Sequence, residues 1–148
     1  SEISLAIAKR KVSSQEVVRN NLEQLEKRGP SLNCLARLFP EQVLAEAELA
    51  DHELSSGNVR GPLHGVPLTH KDMFYCAGKI TACGSKICQD YVPDVTATAL
   101  TKLDQAGALD IGRLKMVEFA CRLTRHNEIT WNTHNPWNPK YIPGGSFQ

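Results

Sequence analysis

At Gly61 the chain changes texture. The first 55 residues read as helical, and from Gly61 onward short apolar stretches alternate with glycine turns. Helices first, then strand–helix–strand, is the pattern of an α/β fold, here an α/β sandwich with parallel strand pairs. The expected organisation is a helical segment over 1–60 and the start of an α/β core over 61–148.

Local signals divide the two parts. Ser13 and Glu16 make a capping box, and Val18, Leu22 and Leu25 then share one helical face. Lys27 and Arg28 suit the helix C-terminus, and Gly29-Pro30 is read as its stop. A third helix starts after Pro40, carries Val43, Ala47, Ala50 and Leu54, and ends at Ser55-Ser56-Gly57. Val66 to His70 reads as a strand. Asp94 is expected to N-cap a helix bearing Leu100, Leu103 and Ala106, closed by Gly107. Ala108 to Ile111 is a strand closed by Gly112, and a short helix covers Lys115 to Ala120. After Asn127 the Asn, Pro, Trp and Gly content is loop chemistry.

Composition excludes several function classes. The chain has 148 residues, 41% apolar and 22% charged, as expected of one ordinary globular domain. A net charge of +1 makes no electrostatic case for nucleic acid or an anionic membrane. No apolar run approaches the roughly 18 residues of a membrane span. Ser1-Glu2-Ile3-Ser4 reads as neither a basic leader nor a signal-peptide core. The five cysteines, Cys34, Cys76, Cys83, Cys88 and Cys121, lack framework spacing, so reduced thiols and a cytoplasmic setting are expected. A Cys83–Cys88 disulfide stays open as the alternative.

Metal and nucleotide motifs are absent. There is no Cys-x-x-Cys and no His-Glu-x-x-His, so no metal is expected. His64 with His70, or His126 with His134, read as polar surface or loop histidines rather than ligands. Gly84-Ser85-Lys86 is not a phosphate loop, no Gly-x-Gly-x-x-Gly occurs, and no Ser-x-Gly elbow accompanies the histidines.

Two segments remain. Gly61-Pro62-Leu63-His64-Gly65-Val66-Pro67-Leu68-Thr69-His70-Lys71-Asp72 delivers Lys71 to a strand end. Lys71 is either a solvated strand-end lysine or a buried amine whose desolvation favours the neutral, proton-accepting form. Asp72, its neighbour, points to the opposite face if the strand continues, and is read as capping or orienting the following turn rather than pairing with Lys71. Gly144-Gly145-Ser146 is either a plain Pro-Gly-Gly turn or a glycine loop that presents a hydroxyl.

An ordered series of blocks resembles the amidase signature family. It runs through Ser14-Gln15-Glu16-Val17-Val18, Leu32-Asn33-Cys34, Gly61 to Pro67, Lys71-Asp72, Ala82-Cys83-Gly84-Ser85 and Tyr91 to Ala97. It continues through Leu103 to Ala108, Ile111-Gly112-Arg113, Met116 to Ala120, Asn135 to Pro139 and Pro143 to Ser146. The resemblance implies an α/β/α sandwich around a mixed sheet with N-terminal helices, of which only the N-terminal part, roughly a third, is present. Residues 1–148 are then expected not to be a self-sufficient enzyme.

The same resemblance implies a serine–serine–lysine triad acting through an acyl-enzyme on a small-molecule amide. Lys71 matches the catalytic lysine. Ser146, after Gly144 and Gly145, matches the bridging serine, which in the family follows a cis peptide bond. The nucleophilic serine would lie beyond Gln148. No cofactor is implied. The sequence departs from the family at Phe147-Gln148, where serine and glycine are usual, and at Leu114-Lys115.

Three functions are compatible with this reading. The first is an amidohydrolase. The second is the glutaminase subunit of a tRNA-dependent amidotransferase, which would release ammonia to a partner subunit; tRNA enters only through this alternative. The third is a non-catalytic fragment acting as a structural or interaction module. A homo-oligomer or a missing C-terminal part stays open.

Overall fold

The Ser13–Glu16 capping box forms as its spacing requires. Ser13 N–H donates to Glu16 Oε2 at 2.7 Å, and Glu16 N–H donates to Ser13 Oγ at 3.0 Å. This comes from a computed structural model that describes residues 2–121, 133–141 and 143–144. The elements in order are α1 (Glu2–Ala8), α2 (Ser14–Leu32), β1 (Leu35–Leu38), α3 (Pro40–Ser55), β2 (Pro67–Lys71), α4 (Thr98–Gln105) and β3 (Leu109–Leu114). Short 3-10 turns lie at Lys86–Cys88 and Glu118–Ala120. No helix among the described residues is long and apolar enough to cross a membrane.

The protein is α/β with a mixed sheet in the order β1-β3-β2. β1 is antiparallel to β3, with Arg37 opposite Arg113 and Leu38 opposite Gly112. β2 runs parallel to β3: Leu109 N–H bonds to Val66 O, and Asp72 N–H bonds to Leu114 O, so both strands advance together. A strand–helix–strand crossover therefore connects β2 to β3, as the sequence pattern predicts.

The described residues group into two compact units. The first takes its members from 1–25, 39–69 and 98–111. Its core is Val18 and Leu22 of α2, Val43 and Ala47 of α3, and Leu109 and Ile111 of β3, with Leu25 and Leu44 packed against them. Each large aliphatic side chain buried there contributes roughly 1.5–3 kcal/mol. Asp51 of α3 caps the start of α2, accepting from Ser14 N–H at 2.6 Å and from Gln15 N–H at 3.0 Å.

The turn that feeds β2 is tied down in the same unit. Leu63 N–H bonds to Ala106 O, and Gly65 N–H bonds to Gly107 O. Gly65 has φ +73°, and a Cβ there would run into the Ser14 side chain. His64 is 5% exposed and belongs to this turn. Its Nε2 lies 2.9 Å from Ala50 O, and its Nδ1 accepts from Arg60 N–H at 3.2 Å. That network assigns the neutral tautomer with hydrogen on Nε2. His64 is thus a buried structural histidine rather than a surface one.

The second unit draws on 26–38, 70–97 and 112–148, and holds the strand ends. Several expectations are corrected here and along the chain. The opening 55 residues are not helical throughout, because Leu35–Leu38 pairs with β3 as a strand. α2 does not stop at Gly29-Pro30. Pro30 lies inside the helix, and Asn33 ends it in the left-handed conformation (φ +51°), donating its N–H to Gly29 O at 2.7 Å. Asp94 does not cap α4, which begins at Thr98. The backbone before it is bonded to another loop, with Gly78 N–H on Pro93 O and Ala97 N–H on Tyr75 O.

Gly112 does not close β3. It sits within the strand, where a Cβ would collide with Arg37 O. No α-helix covers Lys115 to Ala120. Phe119 and Ala120 have φ of +49° and +56°, which leaves one 3-10 turn. In 133–141 the expected loop chemistry is present: Asn135 Oδ1 accepts from Trp137 N–H and Asn138 Oδ1 from Lys140 N–H.

Candidate active site

Lys71 ends β2 in the second unit. It is 5% exposed, so the solvated reading of this lysine is overturned. Its carbonyl accepts from Met73 N–H at 2.7 Å and from Phe74 N–H at 3.3 Å, which turns the chain sharply at the strand end. Burial lowers its pKa below the ordinary lysine value, because the ammonium is the form that desolvation disfavours.

Asp72 is buried beside it. Its Oδ2 pairs with Arg37 Nη1 at 3.2 Å and accepts from Ala82 N–H at 3.4 Å. Its backbone carbonyl accepts from Cys83 N–H at 2.9 Å. Asp72 therefore orients the turn after β2, as its place in the sequence suggests. Desolvation raises its pKa, and Arg37 and Arg113 oppose that rise.

Around this corner the backbone is held in sparsely populated conformations. Cys83 has φ +51° and Gly84 +67°, and Phe119 N–H donates to Cys83 O at 2.9 Å. Non-glycine residues in the left-handed region are strained, and such strain gathers where surroundings over-determine the geometry. Ser85, fully buried, donates to Glu118 Oε1 at 2.7 Å and accepts from Ile87 N–H at 3.3 Å. The hydroxyl thereby joins the two strained segments.

Sequence reasoning missed three charged groups here. Arg113 is fully buried and extends Nη1 to Gly112 O at 3.4 Å. Lys115 is 6% exposed, donates to Asn33 Oδ1, and has its pKa lowered by burial. It carries the same burial signature as Lys71. Arg37 is the third. Arg113 falls in the Ile111-Gly112-Arg113 block and Lys115 in the departure at Leu114-Lys115, but neither segment signals a buried charge, and Arg37 lies in no motif.

The glycine loop is only partly described. Gly144 has φ +82° with nothing near the position of a Cβ, so its need for glycine is conformational. Gly145 and Ser146 lie outside the described residues, as do His126 and the peptide bond expected to be cis. All five cysteines are free thiols. Burial raises the pKa of Cys83, with Cys88 and Asp72 adding to the rise. Among the described residues no group of three His, Cys, Asp or Glu side chains could hold a metal ion. His70 Nδ1 lies 3.3 Å from Lys71 O, and its ring meets Phe74 edge-on at 6.1 Å.

The sequence profile of the family described as Amidase matches residues 16–146. One component of the glutamyl-tRNA(Gln) amidotransferase of Dehalococcoides mccartyi is 37% identical over 140 residues, covering 95% of this chain and 29% of that protein. The solved peptide amidase from Stenotrophomonas maltophilia is 28% identical with a TM-score of 0.88, covering 97% of this chain and 31% of its own. A solved fatty acid amide hydrolase is 29% identical with a TM-score of 0.92, covering 98% of this chain and 26% of its own. The chain thus spans under a third of the length of these relatives.

Proposed function

This chain belongs to the amidase family, and from that premise we propose that the complete protein hydrolyses carboxamide C–N bonds with Lys71 as the base. The observation that carries the reading is a lysine 5% exposed at the end of a strand, with burial disfavouring its ammonium. Desolvation favours the neutral, proton-accepting form of this amine over its ammonium.

In this reading Ser146 passes a proton to Lys71 and takes one from a nucleophilic serine outside these 148 residues. The serine oxygen attacks the amide carbonyl carbon, and backbone N–H donors hold the oxyanion. The C–N bond breaks as the relay returns a proton to the leaving amine. Water then attacks the acyl-enzyme ester and releases the acid, its proton going by the same route. Neither a metal nor an organic cofactor is needed for these steps. A cytoplasmic setting is part of this reading, and the five free thiols support it.

A second reading, the glutaminase component of a tRNA-dependent amidotransferase, is favoured by the 37% identity to a component of that kind of enzyme. There the released ammonia passes to a partner protein. Copurification of partners together with glutaminase activity selects this reading, and amide hydrolysis by the isolated protein selects the first.

The test of the shared chemistry is Lys71→Ala in the complete protein. Turnover should fall by at least about a thousandfold, with the circular dichroism spectrum and melting temperature preserved. Wild-type turnover in that variant rejects the role given to Lys71.

A further inference from the structure

Lys115 is buried about as deeply as Lys71, at 6% exposed against 5%, and the proton relay makes no use of it. It follows β3 directly and meets the C-terminal end of α2 twice. Its backbone N–H donates to Cys34 O at 2.9 Å, and its Nζ donates to Asn33 Oδ1. α2 has no basic residue in its own last turn. Lys115 brings a cation to that end from a distant part of the chain, and a helix C-terminus is where a cation is favoured. The sequence departs from the amidase pattern at Leu114-Lys115, so this support belongs to this chain.

Asn33 forms a left-handed corner, with φ +51° and its N–H donated to Gly29 O at 2.7 Å. Such backbone at a residue other than glycine persists where its surroundings hold it. Lys115 holds it by the side chain. A second segment then docks on the carbonyls of the corner, which the helix itself leaves without partners. Leu32 O accepts from His134 N–H at 2.8 Å, and Asn33 O accepts from Thr133 Oγ1 at 3.3 Å.

The docked segment leads into the glycine loop. Asn135 N–H donates to Tyr141 O at 3.3 Å and Tyr141 N–H to Asn138 O at 3.0 Å, so 135–141 folds back on itself. The Asn135 and Asn138 side chains brace its interior. Tyr141 therefore returns to the anchored end. Pro143-Gly144 follows closely in sequence, and Gly144 turns with φ +82°.

We infer that Lys115 is a positioning residue: by holding Asn33 in its corner it fixes the dock for Thr133 and His134, and with it the base from which the glycine loop presents Ser146 to Lys71. This rests on the reading of Lys71 and Ser146 as the relay. Lys115 itself takes no part in the proton transfer.

The experiment is fluorophosphonate labelling of the complete protein, read as the rate at saturation and the half-saturating concentration. Labelling joins the nucleophilic serine oxygen to phosphorus, expels fluoride and sends the serine proton through Ser146 to Lys71. A displaced relay slows that step without weakening the encounter with the probe. In Lys115→Met the saturating rate should fall about tenfold, with the half-saturating concentration within about twofold of wild type. Lys115→Gln keeps an N–H donor for Asn33 Oδ1 and should restore most of the rate. Asn33→Gly keeps the left-handed corner but removes the acceptor, and should slow labelling as Lys115→Met does. The double variant Lys115→Met, Asn33→Gly should be no slower than the slower single one.

Labelling of Lys115→Met at the wild-type saturating rate overturns the inference, whatever happens to its melting temperature. So does Lys115→Gln as slow as Lys115→Met, or losses that multiply in the double variant. If Lys115→Met fails to fold, Thr133→Val decides, since it removes only the hydroxyl that docks on Asn33 O. A saturating rate lowered about threefold supports the inference, and an unchanged one overturns it. Labelling of Lys71→Ala at the wild-type rate removes the reading of Lys71 as base, a result separate from any outcome at Lys115.

Discussion

The two units treat their titratable groups differently, although the buried Ser14 Oγ of the first also lacks a hydrogen-bond partner among the described residues. In the first, His64 has both ring nitrogens engaged and Asp51 has both carboxylate oxygens bonded to the start of α2. In the second, Asp72 is buried with one oxygen short of a donor, and Lys71 and Lys115 are buried with their ammonium forms disfavoured. Backbone strain divides the same way. Among described non-glycine residues, only Arg10 of the first unit has positive φ, whereas Asn33, Cys83, Phe119 and Ala120 of the second do. Groups with complete partners hold a shape. Buried charges and strained backbone keep free energy that chemistry can use.

The largest test of that contrast is Gly65→Ala. The left-handed backbone and the Ser14 side chain both oppose a Cβ, so the complete protein should lose about 3 kcal/mol or more in thermal unfolding. A loss under about 1 kcal/mol would show that the first unit yields, and the contrast would fail.

Lys71→Met sharpens the contrast from the other side. Removing a buried amine should stabilise the fold by about 2 kcal/mol at pH 7 while abolishing turnover. The sign with pH follows from the lowered pKa. The folded lysine binds its proton less tightly than the unfolded one, so wild-type stability climbs as pH rises from the folded value towards about 10.4. The advantage of methionine should shrink over that window. Urea unfolding at a series of pH values measures it, and a constant advantage up to about pH 10.4 sinks the idea that the lysine is desolvated.

The smallest effect is expected at Asp51→Ala. Loss of this cap should remove about 1 kcal/mol, read as a lowered melting temperature with activity retained. A loss of activity without a change in stability would mean that the first unit is not merely a brace.

What the sequence disclosed was local. The Ser13–Glu16 box, the Val18–Leu22 face and the Gly107 stop each depend on residues within a few positions of one another. What stayed hidden was made by distant partners. Asp51 caps a helix 37 positions away. Leu35–Leu38 is a strand because β3 pairs with it, and its own short run gave no period to read. Asp94 has the right side chain for a cap, but the backbone after it is bound elsewhere. Lys71 stood out through family resemblance, and its burial became legible only once β2 and its following turn were in place. Arg37 gave no signal, since its meaning lies in Asp72.

Gly112 carries a consequence for anyone altering this region. Its missing side chain is the gap through which the first strand comes near enough to carry Arg37 to the acidic neighbour of the lysine. Libraries that randomise the third strand will shed members there for want of room rather than want of chemistry. A position that touches neither substrate nor proton would then look, in a selection, as unforgiving as the base itself.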